Sequence, residues 1–253
     1  MRNYRDGYRG PAIIGCVDLL GFSRNLAEGW GTDNDVLPKI LDLKDSFNKY
    51  KANPGRMAID GRLLDFSVAM HTVSDSFIIT CQIPIQNDGL VLMAALGNVC
   101  MGVDEVQNFA VRNGFAVRGG VELGELFIRG QEVIGPAFGT AYELESTVAI
   151  GARTILGPAL MREIGRLYDH RWSMTRGSYC RTSDDLMAVR DPTPDLEQMH
   201  QLQARAPSAR TAAKYDHFFE VQKPSDYLAA RHEWLEVADS TEQKLRLARK
   251  GPV

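Results

Sequence analysis

The hydrophobic pattern of the first 50 residues predicts a strand, a loop and a helix in that order. Residues 12–17 form a short apolar run rich in Ile, which is typical of a buried strand. The glycines and polar residues of 21–31 predict a loop. Apolar residues then recur at steps of four and three across 36–50, which predicts one face of a helix that Asn34 or Asp35 can cap.

The next stretch of the chain predicts a hairpin followed by a long helix. Residues 63–73 and 76–83 read as two strands, and only Ser74 and Asp75 lie between them. Residues 90–112 carry a helical pattern that stops at an Asn-Gly pair. We therefore expect a tight polar turn at Asp75 and a helix that returns the chain along the sheet.

Four shorter elements follow the long helix. Residues 115–123 predict a strand, 125–129 its hairpin partner, 136–147 a helix and 154–156 a short strand. The order up to residue 123 is then β-α-β-β-α-β, which is the split βαβ or ferredoxin-like arrangement of the α+β class. That arrangement predicts an antiparallel sheet with its helices on one face.

The composition changes near residue 190 and divides the chain in two. Strand signals fade there, and the two prolines of the following Asp-Pro-Thr-Pro stretch are typical of a linker or a turn. The remaining sequence is rich in Arg, Lys, Glu, Gln and Ala, which predicts two or three helices. We therefore expect one α+β domain over 1–190 and a helical C-terminal extension over 191–253.

Composition and charge exclude several classes of protein. The chain is 44% hydrophobic and 24% charged with a net charge of −3, so nothing indicates nucleic-acid binding. The early apolar run contains Asp18 and no clear cleavage site, which argues against a signal peptide, and no stretch approaches the ~20 apolar residues of a membrane span. The four cysteines are widely scattered, which argues against a zinc site. We expect a cytoplasmic protein.

Two aspartates are the candidates for chemistry. Asp18 ends the first predicted strand and Asp75 sits at the tip of the following hairpin. In a split βαβ sheet these strands are central neighbours, so the two carboxylates can meet at one edge. Hard carboxylates without Cys or His suit Mg²⁺ or Mn²⁺, with substrate phosphates completing the coordination shell. The alternative is that Asp18 only caps a loop and Asp75 is only a turn residue.

The residues that follow Asp18 favour the metal interpretation. Gly21 allows close approach of a triphosphate, and the backbone amides of Phe22 and Ser23 can hold its β- and γ-phosphates. The backbone carbonyl of Leu19 is a further candidate metal ligand. These features together predict a phosphate-binding segment directly after the first metal ligand.

Four sequence strings resemble the motifs of class III nucleotidyl cyclases. In chain order they resemble the first metal motif, the second metal motif, the glycine-containing core strand and the late catalytic helix: IIGCVDLLGFS at 13–23, TVSDSF at 72–77, VRGGVELG at 117–124 and GPAFGTAYELE at 135–145. The resemblance implies a cyclase palm fold, two metal ions per site and head-to-tail pairing of two domains. In a chain with one such domain, it implies a homodimer with two active sites.

The sequence departs from the family at several functional positions. Gly139 and Glu143 stand where adenylate and guanylate cyclases carry the Asn and Arg that stabilise the transition state. His71 stands at the base-selecting position of the second motif, with a partner position near Glu132. Neither fits the Lys and Asp pattern of an adenylate cyclase. His71, Glu132 and Tyr50 are the candidates for contact with the base, and packing in the core is the alternative for His71 and Tyr50.

Three strings in chain order, RGGVELG at 118–124, GPAFGTAYELE at 135–145 and ARTI at 152–155, are more similar to the pyrimidine cyclases of bacterial Pycsar antiphage systems. This resemblance implies conversion of UTP into cyclic UMP, which activates a separately encoded effector after phage infection. Alternatives are a cytidylate cyclase, a purine cyclase, another palm-type phosphotransfer enzyme making a linear or dinucleotide product, and a non-catalytic nucleotide-binding module. Arg118 lies beside two glycines in the core strand, where a phosphate is one candidate partner and Glu122 or Glu145 is another.

Overall fold

The computed structural model describes residues 7–33, 35–48, 54–59, 61–167, 179–190, 194–223 and 231–250. The strands within these residues are β1 (Tyr8–Leu20), β2 (Pro54–Ile59), β3 (Arg62–Val73), β4 (Ser76–Gln82), β5 (Ala116–Arg129), β6 (Glu132–Ile134), β7 (Thr154–Leu156), β8 (Tyr179–Arg181) and β9 (Met187–Val189). The helices are α1 (Phe22–Gly29), α2 (Leu37–Asn48), α3 (Gly89–Arg112), α4 (Pro136–Glu143), α5 (Pro158–Arg166), α6 (Leu196–Ala204), α7 (Ala209–Gln222) and α8 (Arg231–Arg249). A π-helical turn, Leu144–Val148, continues α4.

The strands form one sheet in the order β2-β3-β4-β1-β5-β7-β9-β8, with β6 paired to β5. β1 is central and runs antiparallel to both β4 and β5. The order β3-β4-β1-β5, joined by helical crossovers, is the ferredoxin-like βαββαβ arrangement, so the fold prediction is confirmed. β7 pairs with β5 in parallel, which makes the whole sheet mixed.

One face of the sheet carries the main hydrophobic core. Helix α3 crosses this face, and its N-terminus is capped by Asp88, whose side chain accepts hydrogen bonds from the backbone N–H groups of Leu90 and Val91. Buried residues of α3, including Val99 and Val103, share the core with alternate residues of β1. Alternate side chains of the strand and one face of α3 therefore pack together in a single apolar layer.

Helix α3 also corrects the expectation that no segment could cross a membrane. It is 24 residues long, has a mean hydropathy of 1.5 in its most apolar window, and meets the length and composition of a membrane span. Much of that window is buried against the sheet, which is the behaviour of a core helix. The cytoplasmic location stays a prediction.

Helix α4 covers the opposite face of the sheet, so the expectation that helices occupy one face is wrong. Ala137 and Ala141 pack against Ile14 and Cys16 of β1. A Cβ atom on Gly120 would lie 2.5 Å from the carbonyl oxygen of Ala141. Glycine at this position of β5 therefore lets α4 lie directly on the sheet.

Two local predictions are wrong. The predicted loop 21–31 contains α1, because Phe22 and Leu26 bury apolar surface in the main core. Residues 125–129 are not the partner of 115–123 but its continuation in β5, since the thirteen-residue β1 pairs along that whole length. The hairpin partner of β5 is β6 instead.

The remaining predicted elements agree with the structure. Asp35 accepts a hydrogen bond from the backbone N–H of Leu37 at the start of α2, as expected of a cap. The hairpin of β3 and β4 and the short β7 are present, while β2, α5, β8 and β9 were not predicted from the sequence.

The C-terminal part of the chain contains three helices among its described residues, as the sequence predicted. Trp234, Val237 and Ala238 of α8 are buried in the main core. The ring of Trp234 meets that of Tyr179 edge-on, with centroids 6.2 Å apart. The helices therefore pack directly on the sheet, and a domain boundary at 190–191 stays a prediction.

Candidate active site

Two aspartates lie together where β1 meets the β3–β4 turn. Asp18 is two residues from the end of β1 and is in register with Ser76, the first residue of β4. The Oγ of Ser76 donates a hydrogen bond of 3.2 Å to Oδ1 of Asp18. Asp75 immediately precedes Ser76 in the turn, so the fold brings both carboxylates to one end of the sheet. Their role as metal ligands stays a prediction.

The surroundings of Asp18 favour its neutral, protonated form. Burial raises the pKa of Asp18, and the negative charge of Asp75 raises it further, while Arg118 and the hydrogen bond from Ser76 oppose both effects. A pair of close, partly buried carboxylates is stabilised by a cation between them. Such oxygen donors match the preference of Mg²⁺ or Mn²⁺.

The protein provides few other metal ligands nearby. Among the residues that the structure describes, no group of three or more His, Cys, Asp or Glu side chains is arranged to hold a metal ion. The donor set formed by Asp18 and Asp75 is therefore of the kind that relies on water and substrate oxygens to complete a coordination shell.

Arg118 bridges Asp18 to a buried glutamate. Its Nη2 lies 3.4 Å from Oδ2 of Asp18, and its Nε lies 2.6 Å from Oε1 of Glu145. The Nε–Oε1 contact lacks hydrogen-bond geometry although the distance is short, so both atoms are buried without a hydrogen-bond partner. Burial raises the pKa of Glu145 to about 7, which Arg118 opposes.

The other glutamate considered as a partner of Arg118 lies elsewhere. Glu122 is a buried residue of β5. Its carboxylate accepts a hydrogen bond of 2.8 Å from the backbone N–H of Leu160, near the start of α5. Burial raises the pKa of Glu122 to about 7. Arg118 therefore pairs with Asp18 and Glu145, and Glu122 serves as a cap for α5.

A small cavity of about 110 Å³ opens beside Asp18 between the sheet and α4. Its lining residues come from β1, β3, β4, α4 and the π-helical turn: Cys16, Val17, Asp18, Val73, Ser76, Ile78, Phe138, Tyr142 and Glu145. Val73 and Tyr142 are nonetheless 60% and 56% exposed. The site is thus open on the side where these two apolar residues meet solvent.

The predicted phosphate-binding segment forms the start of α1. Gly21 adopts a left-handed conformation with φ of 79° and occupies the N-cap position without a side-chain cap. The first N–H groups of α1, including those of Phe22 and Ser23, therefore lack intrahelical partners and form an anion-binding end. The side chains of Leu19 and Phe22 are buried in the core, so only their backbone groups are available.

His71 is buried on β3, where the β5–β6 turn contacts it. Its Nδ1 lies 3.3 Å from Oε1 of Gln131, while its Nε2 is buried without a partner. Burial lowers the pKa of His71, and Gln131 opposes this, so the ring is neutral at pH 7. Gln131 was not predicted, because the contact depends on how the hairpin folds back over the sheet.

Glu132, a second expected base-contacting residue, pairs with an arginine and not with His71. Glu132 pairs with Arg129 at 2.6 Å, and both side chains are 52% exposed. Its neighbour Gln131 contacts His71 instead. Tyr50 lies outside the described residues.

Glu143 forms an ion pair with a residue that is distant in the chain. Glu143 in α4 pairs with Arg249 near the end of α8, with Nη2–Oε2 and Nε–Oε1 distances of 2.7 Å each. No contact of this kind is visible from the sequence, because 106 residues separate the two side chains.

Several solved structures are similar to this chain. The guanylyl cyclase Cya2 is 18% identical, with a TM-score of 0.39 over 65% of this chain and 82% of that protein. A class III adenylyl cyclase-like ATP-binding protein from Pseudomonas aeruginosa is 13% identical, with a TM-score of 0.42 over 63% of this chain and 36% of that one. A bacterial light-regulated adenylyl cyclase is 11% identical, with a TM-score of 0.41 over 79% and 57%.

No protein-family model and no curated protein matches the chain. The overlap spans little more than half of the light-regulated cyclase and about a third of the Pseudomonas protein. At these identities and TM-scores, the ferredoxin-like fold rests on the strand order of this chain, and the chemistry rests on its own residues.

Proposed function

We propose that this chain is a uridylate cyclase that converts UTP into 3′,5′-cyclic UMP and pyrophosphate with the help of two divalent cations. The observation that carries the proposal is the juxtaposition of Asp18 and Asp75 next to the exposed amide end of α1. A carboxylate pair and a phosphate-binding helix end, separated by three residues, suit a nucleoside triphosphate.

The donor chemistry fits the expected cations, Mn²⁺ or Mg²⁺. Asp18 and Asp75 would hold them, with the backbone carbonyl of Leu19 as a further ligand. When bound, the cations activate the attacking 3′-hydroxyl and neutralise the departing pyrophosphate. The partly buried position of Asp18 beside a second carboxylate gives a cation a strong electrostatic reason to bind there.

The chain's own groups bind and orient the triphosphate. The free amides of Phe22 and Ser23 donate to the β- and γ-phosphate oxygens, and Gly21 leaves room for this approach. Arg118 offers its guanidinium to the same phosphates. With the α-phosphorus held in line, a bond forms from O3′ to phosphorus, the bond to pyrophosphate breaks, and the hydroxyl proton passes to water.

The base preference is assigned to His71 and its neighbour Gln131. A neutral imidazole with one nitrogen bound to Gln131 leaves Nε2 to make one hydrogen bond to a base edge. A uracil edge offers two carbonyl acceptors and one N–H, so a mismatched base leaves polar groups unpaired. The choice of UTP over CTP follows the sequence resemblance, and cytidylate or purine cyclisation is the alternative outcome.

The proposed assembly is a homodimer with two active sites in the cytoplasm. Val73 and Tyr142 line the Asp18 cavity and yet are more than half exposed, which suits burial against a second copy. The cyclic nucleotide would then act as an antiphage signal on a separately encoded effector, without direct contact between enzyme and effector.

The decisive experiment is product analysis with each of the four nucleoside triphosphates and Mn²⁺. We expect cyclic UMP by mass spectrometry, with turnover lost in Asp18→Asn and Asp75→Asn and retained in Asp42→Asn, which changes an exposed carboxylate on α2. Dominance of another cyclic nucleotide would overturn the base assignment alone.

A second candidate is a non-catalytic nucleotide-binding module. The observation that favours it is Glu143, which stands with its partner Arg249 where the family carries its transition-state arginine. Triphosphate binding without any cyclic product, in the presence of Mn²⁺ and at concentrations that favour dimers, would support this alternative over the cyclase.

A further inference from the structure

We infer that Arg118 is the built-in counter-ion of the aspartate pair, that Glu145 positions it, and that a divalent cation binds by displacing Arg118 from Asp18. This inference rests on the proposed function, because it takes Asp18 to be a metal ligand. It adds a positioning role for Glu145, which lies in the π-helical turn after α4.

The two contacts of Arg118 are unequal. Its Nε lies 2.6 Å from Glu145, whereas its Nη2 lies 3.4 Å from Asp18. The Glu145 side chain is 5% exposed and that of Arg118 is 25% exposed. A short ion-pair contact with Glu145 therefore holds the buried end of the guanidinium, and a long hydrogen bond of 3.4 Å attaches its other end to Asp18.

The position of Glu145 follows from the backbone around it. The π-helical turn inserts an extra residue per turn at this point, a geometry that is frequent at functional sites. Gly120 of β5 permits the close approach, since a Cβ there would lie 3.1 Å from the backbone nitrogen of Glu145. The backbone therefore places the acidic side chain of Glu145 in the apolar interior, where a nearby cation stabilises its charge.

The charges of the cluster explain why displacement can occur. Asp18, Asp75 and Glu145 act on one another electrostatically, and Arg118 is the cation that pairs with two of them. A single guanidinium leaves this group of three carboxylates net negative, so a divalent cation is still attracted to Asp18. Once Asp18 binds that cation, the loosely held Nη2 is repelled, while the Nε end stays at Glu145.

The displaced guanidinium can then bind the triphosphate. Because only three residues separate Asp18 from the start of α1, the released end of Arg118 is close to the place proposed for the triphosphate. A planar guanidinium binds phosphate oxygens well. Glu145 therefore acts through Arg118, and it touches neither cation nor nucleotide.

The test measures Mn²⁺ binding to the full-length protein without nucleotide, by electron paramagnetic resonance of free Mn²⁺. We expect Arg118→Met to tighten Mn²⁺ binding about tenfold, because its positive charge no longer competes for Asp18. We expect Glu145→Gln to weaken binding by a similar factor, because Arg118 is then left to Asp18 alone. Glu145→Asp should restore binding toward the wild-type value.

Two comparisons keep this test specific. Arg129→Met removes an exposed guanidinium that pairs with Glu132 and should leave Mn²⁺ affinity unchanged. Arg118→Gln serves as a second variant if Arg118→Met does not give a wild-type circular dichroism spectrum. Turnover of UTP should fall in both Arg118 variants even though the metal binds more tightly, a split that simple loss of structure would not produce.

The outcomes separate the two proposals. If Asp18→Asn abolishes Mn²⁺ binding but the Arg118 and Glu145 variants bind like the wild type, the displacement mechanism is wrong and the cyclase proposal stands. If the wild-type protein binds no Mn²⁺ at millimolar concentration, with or without UTP, both proposals are overturned.

Discussion

Arg153 donates two parallel hydrogen bonds of 2.8 Å to the carboxylate of Asp184, with the arginine side chain 1% exposed and the aspartate 42% exposed. Asp184 also accepts a hydrogen bond from Thr182 and lies 3.7 Å from Lys244 of α8. This group ties the start of β7 to the β8–β9 turn and to the last helix. The guanidinium of Arg153 therefore takes part in a structural ion pair.

Because Arg153 is far more buried than Asp184, we expect the two substitutions to lower the free energy of unfolding by different amounts. Asp184→Ala leaves a buried guanidinium without its partner and should lower the free energy of unfolding by about 3–5 kcal/mol. Arg153→Met leaves a half-exposed carboxylate that still faces Lys244, and should cost clearly less. Urea unfolding of both variants checks this, and equal losses would contradict it.

Glu122 predicts a fall in stability as the pH rises. Burial raises its pKa from 4.5 to about 7, so between these values the folded protein holds a proton that the unfolded chain releases. The stability that this residue contributes is therefore fully present below pH 4.5 and is lost as the pH rises from 4.5 to 7, by roughly 3 kcal/mol. Glu145 adds a fall of the same sign, because burial raises its pKa to about 7 as well.

Glu122→Gln isolates this contribution. The amide mimics the protonated carboxyl, so the variant should gain stability relative to the wild type by about 3 kcal/mol between pH 4.5 and pH 8. Urea midpoints measured at both pH values give the difference. If the stability of the variant relative to the wild type were the same at both pH values, the folded protein would stabilise the ionised carboxylate as well as the protonated one.

Two glycines near the site predict opposite effects of alanine. Gly120→Ala places a Cβ 2.5 Å from the Ala141 carbonyl oxygen and should cost about 1–3 kcal/mol while displacing α4. Gly139→Ala lies in α4 with nothing within 4 Å of its new Cβ and should gain about 0.5–1 kcal/mol. Thermal unfolding distinguishes them, and a shared sign would contradict the close packing of α4 on β5.

The contact between His71 and Gln131 predicts a change of nucleotide preference. Replacing either residue by Ala should alter the ratio of kcat/KM for UTP to that for the other nucleotides by tenfold or more, or ~1.4 kcal/mol. Gln201→Ala, an exposed change on α6, should leave the ratio unchanged. If both Ala variants keep the wild-type ratio, His71 does not face the base.

The exposed apolar residues at the site predict the dimer interface. Val73→Arg should convert the dimer into a monomer, and Met101→Arg, an equally exposed change on α3 at the other face of the sheet, should not. Sedimentation velocity measures the mass of each variant. A wild-type monomer with full activity at assay concentration would contradict the dimer.

Much of the fold followed from local patterns. The apolar run of β1, the helical stripe of α3 with its Asn-Gly end, and the Ser74-Asp75 turn are read from residues close together in the chain, and the structure has all three. The ladder between β1 and β5 was the main failure, because a strand that continues past residue 123 depends on the length of its partner. Helix α1 was missed because it is short and its glycine-rich surroundings hide two buried residues.

Local patterns in the chain were enough to predict which residue types could carry chemistry and in what order they occur: a carboxylate after the first strand, a phosphate-sized segment next to it, and a second carboxylate in the following turn. The surroundings of these residues depend on how distant segments pack together. His71 contacts Gln131 across 60 residues of the chain, and Arg118 contacts Asp18 across 100 residues and also pairs with Glu145. Such contacts depend on strand register and on how closely α4 lies on the sheet, and no local pattern encodes either.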